Sequence, residues 1–275
     1  MAFMKSAPVR KSRAIFSRIP RLIARTSASD DDYLHHPPVI VNSLPKSGTH
    51  LLMQLAMNLP GTRQYGSFIA QTPSLTLKLR SQQAIDRRIK SVAPGEVVGA
   101  HLHYSPETAE ALRRRNALHL FIWRDPRDVL LSEAHYLAKM NRWHAMHKTF
   151  ASLSDFDAQV RLAITGLDEH RYPRADKRIG PYMGWTESYG CVCLRYEDLV
   201  SPQTNIQECQ RIIDAYKQLA RSPRSLPSAK ELVNAIDPQG SHTFNKGGIA
   251  RWKEEMSPAN LDLCHAILGK WTDPE

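Results

Sequence analysis

"VIVNSLPKSGTHLLMQL", Val39 to Leu55, sets a short β-branched run against a helix-like one and puts Pro45, Lys46, Ser47, Gly48 and Thr49 between them. The run Val39, Ile40, Val41 is bounded by turn residues and reads as a buried strand. Beyond Thr49, the residues Leu52, Leu55, Ala56 and Leu59 recur at the spacing of a helix packed on a core, and Pro60-Gly61 stops it. The unit is strand, tight loop, helix. Such a loop aims several backbone N–H groups and the positive end of a helix dipole at one point, which suits an anion such as phosphate. Gly48 allows close backbone approach, Lys46 supplies a point charge, and Ser47 and Thr49 offer hydroxyls. The nucleotide-loop order G-x-x-x-x-G-K-[ST] is absent, because this lysine precedes the glycine. That order argues against an ATPase, a GTPase or a P-loop kinase.

At 275 residues the chain has room for one α/β domain behind a tail. Residues 1–35 read as a basic, flexible N-terminal extension and 36–275 as the folded domain. Cys191, Cys193, Cys209 and Cys264 form no C-x-x-C pair and fit neither a zinc site nor a secreted disulfide framework. A reducing, cytoplasmic compartment is the expectation, and no apolar stretch approaches the ~20 residues of a membrane span. Of the net charge of +10, seven charges sit in the first 29 residues, where no acid occurs. The remaining excess is too small to argue for nucleic acid. The tail interleaves Ile15, Phe16, Ile19, Leu22 and Ile23 with its arginines, with Pro20 as a helix breaker midway. It reads as a solvated extension, a peripheral contact with an anionic membrane, or a transit peptide.

Residues 61–95 read as a loop with a short helix near Gln82 to Ser91. "EVVGAHLH", Glu96 to His103, is a second strand delivering histidines at its end. "HLFIW", His119 to Trp123, and "CVCLRY", Cys191 to Tyr196, are two more. Helical patterns fall at 106–114, 127–140, 154–169, 182–189, 203–219, 228–235 and 258–269. Strands alternating with helices imply a parallel sheet covered on both faces, with ligands at the carboxyl ends of its strands. In "FIWRDPRDVLLSEAHY", Phe121 to Tyr136, Asp125 is placed to cap a helix that opens on Pro126. Arg124 then stands at a strand's end, where it either meets Ser132 on one phosphate or pairs with Asp128.

Together these segments resemble the sulfotransferases that use 3′-phosphoadenosine 5′-phosphosulfate, closest to the cytosolic type. "LPKSGTHLL" is similar to the family's 5′-phosphosulfate loop, and "RDPRDVLLS" has the R-x₇-S spacing of its 3′-phosphate motif. "LRYEDL", Leu194 to Leu199, resembles its Y-E-D strand end, and "FNKGGIARWK", Phe244 to Lys253, its C-terminal R-K-G-x-x-G-x-W-K segment. The four stand in family order from about Pro38 to Trp271. The resemblance implies a P-loop-like three-layer α/β fold, a central parallel sheet flanked by helices, with 36–275 as the sulfotransferase domain. It assigns Lys46, Ser47, Gly48, Thr49 and His50 to the 5′-phosphosulfate. Arg124 and Ser132, with Lys246 and Gly247, take the 3′-phosphate, and Tyr196 lies beside the adenine.

The resemblance also makes His101, in "GAHLHY", the catalytic base, with His103 second, and Lys46 the stabiliser of the leaving group. No metal is required by this scheme. Trp252 is read as core. Gly99 stands where the family has a lysine, Asn245 where it has an arginine, and His50-Leu51 where it has Thr-Trp. The implied activity moves a sulfonate to the hydroxyl of a sugar, a glycolipid or a small alcohol or phenol. Residues 62–93 and Lys139–Phe150, with Arg142, Trp143, His144 and His147, are expected to form the acceptor's mouth. The alternatives are a non-catalytic nucleotide-binding or membrane-associated protein on the same fold, and a P-loop kinase.

Overall fold

A computed structural model describes residues 18–223, 225–237 and 248–272. Five strands, β1 (Val39–Ser43), β2 (Phe68–Ala70), β3 (Val97–His101), β4 (Leu118–Trp123) and β5 (Cys191–Arg195), form one sheet. Its order is β2-β3-β1-β4-β5, and every pairing is parallel. Residues alternate between two apolar layers, as the two-residue period of a strand demands. Val39 and Val41 of β1 face Leu52 and Leu55 of the helix Thr49–Ala56 and Ile212 and Tyr216 of the helix Asn205–Leu219. Ile40 faces the other layer, where Ile85, Leu112 and Leu130 come from the helices Gln82–Lys90, Pro106–Arg114 and Pro126–His135. This is the parallel sheet covered on both faces that the strand-helix alternation implies, and the three-layer, P-loop-like α/β fold that the resemblance implies.

The chain runs from β1 to the far edge at β2, back to β3, and then across to β4. The carboxyl ends of β1, β3 and β4 therefore enclose the crevice where such sheets bind ligands. Asn42 of β1 braces that crevice: its Oδ1 accepts from Leu102 N at 2.8 Å and its Nδ2 donates to Leu102 O at 3.3 Å. Trp185 Nε1 donates to the same carbonyl at 2.8 Å. Leu102 separates His101 from His103, so these bonds fix which histidine points where.

The structure differs from the sequence reading in several details, the first being the strand β2 inside a stretch read as loop. The helix expected at 182–189 runs instead over Ala175–Met183, followed by a 3₁₀ turn at Gly184–Glu187. Gly180-Pro181 reads as a breaker, but the Pro181 carbonyl accepts from Tyr104 N at 2.7 Å, and tertiary packing holds the segment. Pro20 does not break a helix midway either. It falls in the first turn of the helix Arg18–Thr26, where a missing N–H costs little.

The extension expected over 1–35 lies outside the described residues as far as 17. From Arg18 onward it is helical and tied to the body. Arg21 Nε meets the fully buried Glu96 at 2.7 Å, and Tyr33 OH donates to Val92 O at 3.0 Å.

Candidate active site

The loop after β1 is shaped by two left-handed residues, Lys46 at φ 71° and Gly48 at φ 99°. A Cβ on Gly48 would lie 2.8 Å from Tyr196 Cδ2, so only glycine lets that ring close on the loop. Gly48 also opens the helix Thr49–Ala56 without any side-chain cap, which leaves the first helical N–H groups facing the crevice. Beneath them Ser47 Oγ is buried with no hydrogen-bond partner. Orphaned donors at a helix N-terminus with a lysine beside them fit an anionic group. Thr49 spends its hydroxyl on Ser43 Oγ, at 2.6 Å.

Lys46 lies with Nζ 3.8 Å from the centre of the Tyr136 ring. Burial pulls its ammonium down to about 8, against which nearby Glu133 works. Tyr136 was missed in the sequence, although it lies four residues after Ser132 and so on the same helix face.

At the end of β4, Arg124 Nη2 bonds Asp128 at 2.7 Å and reaches the Gly248 carbonyl. Its Nε is buried without a partner, and its guanidinium carbon stands 4.6 Å from the Tyr196 ring centre. Asp128 also accepts from Ala250 N at 3.0 Å and Trp252 N at 3.1 Å, which ties the C-terminal segment to Arg124. Lys246 and Gly247 lie outside the described residues, as does Asn245. Trp252 is buried in the core, as read, under Arg127 at 3.5 Å.

His101 ends β3. Its Nδ1 lies 3.0 Å from the Ser43 carbonyl and 3.1 Å from Ser43 Oγ. A carbonyl only accepts, so Nδ1 carries the hydrogen and Nε2 is left as the bare lone pair of a neutral imidazole. Burial lowers its pKa to about 4, below the ordinary imidazole value near neutrality, and Lys46 adds to the effect. His103 is lowered to about 4 by burial as well, and stands edge-on to Tyr182 at 4.8 Å.

One cavity of about 1420 Å³ gathers Lys46, Gly48, Thr49, His50, His101 and His103 with Arg124, Ser132 and Tyr196. Further walls come from 64–80, within the stretch expected at the mouth, and from 171–182 and Leu199, Val200, Asn205, Val233, Ile236 and Asp237, which sequence reasoning missed. Of the second expected mouth segment, Asn141 and His144 line the cavity, whereas Arg142 and Trp143 do not. Trp143 is 83% exposed, and His147 is turned inward onto Leu137 O at 2.7 Å.

Residues 36–273 match the sulfotransferase domain family. The chain belongs to that family. Similar solved structures include the mouse sulfotransferase SULT7A1 complexed with PAP, at 14% identity and a TM-score of 0.58 over 90% of this chain and 87% of that one. Retinol dehydratase with androsterone and inactive cofactor PAP aligns at 13% identity and a TM-score of 0.53, over 94% and 87%. The same enzyme with retinol and PAP gives 14% and 0.54, over 93% and 87%. At these identities the likeness is one of fold. No curated protein sequence matches the chain.

For a sulfotransferase the absent lysine at Gly99 is the largest departure, and the structure gives its reason. A Cβ there would meet the Phe68 ring at 2.8 Å and Met53 Sδ at 3.2 Å. Phe68 of β2 fills the space and stands edge-on to His101, with ring centres 4.9 Å apart.

Proposed function

We propose that this sulfotransferase moves a sulfonate from 3′-phosphoadenosine 5′-phosphosulfate to a hydroxyl acceptor, with His101 as general base. The observation that carries the reading is the fixed tautomer: Ser43 accepts from Nδ1–H, which leaves Nε2 as the basic nitrogen of a histidine that lines the same cavity as the Lys46 loop. The loop amides, Ser47 and Lys46 hold the 5′-phosphosulfate. Arg124 and Ser132 hold the 3′-phosphate, with Tyr196 against the adenine and Thr49 and His50 at the loop's end; the family resemblance assigns Lys246 and Gly247 to the same 3′-phosphate. The bound donor supplies the sulfonate and a phosphate leaving group.

His101 Nε2 takes the acceptor's proton, and Lys46 with the loop amides neutralises charge on the departing phosphate oxygen. A base of low pKa suits a loose in-line displacement. The hydroxyl becomes strongly acidic only as its new bond to sulfur forms, so the proton leaves late. Neutral His101 is available across the physiological range without first having to lose a proton. Phe68, Leu77, Leu137 and Tyr182 in the cavity wall favour an alcohol or phenol with an apolar body over a free sugar. The ligands named for the retinol dehydratase structures, androsterone and retinol, are of that kind.

The donor half is tested by binding. Arg124→Gln, which leaves Asp128 its two backbone donors, is expected to weaken 3′-phosphoadenosine 5′-phosphate by roughly tenfold or more. Adenosine 5′-phosphosulfate, which has no 3′-phosphate, should be nearly unaffected in the same titration. Equal losses for both nucleotides would mean that Arg124 acts through the fold.

We also propose that the N-terminal helix rests on an anionic membrane. No described helix is long and apolar enough to cross one. Ile19, Leu22 and Ile23 share one face of Arg18–Thr26 and are 64%, 53% and 60% exposed, while Arg21 on the opposite face holds the body. The charge of the tail complements acidic lipid. Wild-type protein should sediment with phosphatidylglycerol vesicles but not with phosphatidylcholine ones, and an Ile19→Ser, Leu22→Ser, Ile23→Ser variant should stay in the supernatant. Equal sedimentation of variant and wild type would remove the helix from this role.

A further inference from the structure

The wall of the cavity beyond His101 carries more positive charge than the donor uses. Arg178 is taken by Glu133 at 2.7 Å and Arg251 by Glu255 at 2.6 Å, which leaves Arg80, Arg171 and Lys177. None of these three has a carboxylate at ion-pair distance among the described residues. Arg171 and Lys177 are exposed, as surface cations commonly are, but Arg80 is half-buried. Burial first, and then nearby Arg88, work against its charge. A guanidinium kept partly out of water with no counter-ion calls for an anion that the protein does not itself provide.

The placement of Arg80 is built, and it is built from the base outward. Gln71, itself buried, donates its backbone N–H to the His101 carbonyl at 2.7 Å. Gln71 then clamps Arg80 twice: Arg80 N donates to Gln71 O at 3.0 Å, and Gln71 Nε2 donates to Arg80 O at 3.1 Å. The guanidinium is pinned by Nη1 donating to Ala70 O at 2.6 Å, and Ala70 is the register partner of His101. One nitrogen is thus spent on the strand edge. Nε and Nη2 remain for a ligand held at a fixed place relative to His101.

The donor does not account for this group. The strand order puts Arg80 at β2 and Arg124 at β4, with β3 and β1 between, a separation of about 14 Å across the sheet. The Lys46 loop follows β1, two strands away. Arg80 is held at the β2 edge, on the other side of β3 from the Lys46 loop. The same cavity is also lined by Phe68, Leu77 and Leu79, which supply apolar surface.

We propose that the acceptor is an amphipathic alcohol or phenol bearing an anionic group, and that Arg80 binds that group and sets specificity. The proposal rests on the reading of the cavity as a sulfotransferase site. An apolar body bridges the two polar ends: its hydroxyl meets His101 and its carboxylate, sulfate or phosphate meets Arg80. Arg171 and Lys177 add charge of the same sign at the rim.

Matched probes of graded length test this. Wild-type protein loaded with 3′-phosphoadenosine 5′-phosphate is titrated calorimetrically with 8-hydroxyoctanoate and 12-hydroxydodecanoate, and with 1,8-octanediol and 1,12-dodecanediol. At the better length the hydroxy acid should bind roughly tenfold or more tightly than its diol, as a charge-assisted bond to a half-buried guanidinium implies. In Arg80→Gln the preference should fall to within about threefold, while affinity for 3′-phosphoadenosine 5′-phosphate stays at the wild-type value and shows that the fold is intact. In turnover assays the change should lie in KM for the acid, with kcat little altered. A diol that binds as well as its acid, a preference that survives Arg80→Gln, or no binding of either class would overturn the proposal. Failure of the unloaded wild type to bind 3′-phosphoadenosine 5′-phosphate would instead overturn the reading beneath it.

Discussion

Lys46→Ala is expected to lower turnover by on the order of 10²-fold or more while weakening donor binding far less. The reason is where the charge acts. In the proposed mechanism the loop amides and Ser47 bind the ground-state phosphate, whereas the ammonium is worth most when negative charge builds on the leaving oxygen. Lys46 is well suited to that task because its half-buried position over the Tyr136 ring raises the cost of its charge until a negative partner arrives. The same position predicts a pH signature. Since the ammonium of the free protein titrates at about 8, kcat/KM for the donor should fall as pH rises through that value. The fall in kcat should come at higher pH, because a bound anion holds the proton on. A turnover rate for Lys46→Ala equal to the wild type's would remove Lys46 from the mechanism.

Replacing His101 by Asn keeps a hydrogen bond to Ser43 within reach but removes the titrating lone pair at Nε2. Donor affinity should survive, and turnover on an alcohol should fall by roughly 10² to 10⁴. An acidic phenol should lose less, because it parts with its proton more readily. An ordinary imidazole would put the acid limb of the rate near neutrality. Burial at the end of β3 moves it to about 4, so the wild-type rate should rise through that region and stay level until Lys46 begins to lose its proton. In His101→Asn the acid limb should disappear. A variant at that position with full activity and an intact limb, alongside an inactive His103→Asn, would transfer the role of base by two residues.

The parallel sheet was legible because strands buried on both faces leave uninterrupted apolar runs. Val39–Val41, Val97–Val98 and Leu120–Ile122 need no alternation to be recognised. β2 left no such trace. It is three residues long, pairs on one side only, and its Phe68 is spent on covering Gly99 instead of filling the core. The helix Ala175–Met183 was hidden by Gly180-Pro181, whose local signal points the wrong way until the rest of the fold holds the segment.

In the site, the loop from Pro45 to Gly48 announces itself through residue types, since few other tasks need a lysine and a glycine between a strand and a helix. The state of His101 is another matter. Its tautomer is set by Ser43, 58 residues away, and its low pKa by burial that no local stretch encodes. Arg80 was invisible for the same reason: the chain of bonds through Gln71 to His101 exists only once β2 is laid against β3.

The account stands most directly on one count of product. Wild-type protein and His101→Asn, each saturated with donor carrying labelled sulfonate, are mixed with 12-hydroxydodecanoate, and labelled sulfate ester is counted through a single turnover. The account predicts ester formed by the wild type in step with release of 3′-phosphoadenosine 5′-phosphate, and at least about 10²-fold more slowly by the variant at equal donor occupancy. Ester formed at the same rate by both proteins, or donor bound by the wild type with no ester formed on this acceptor or on the matching diol, would contradict it.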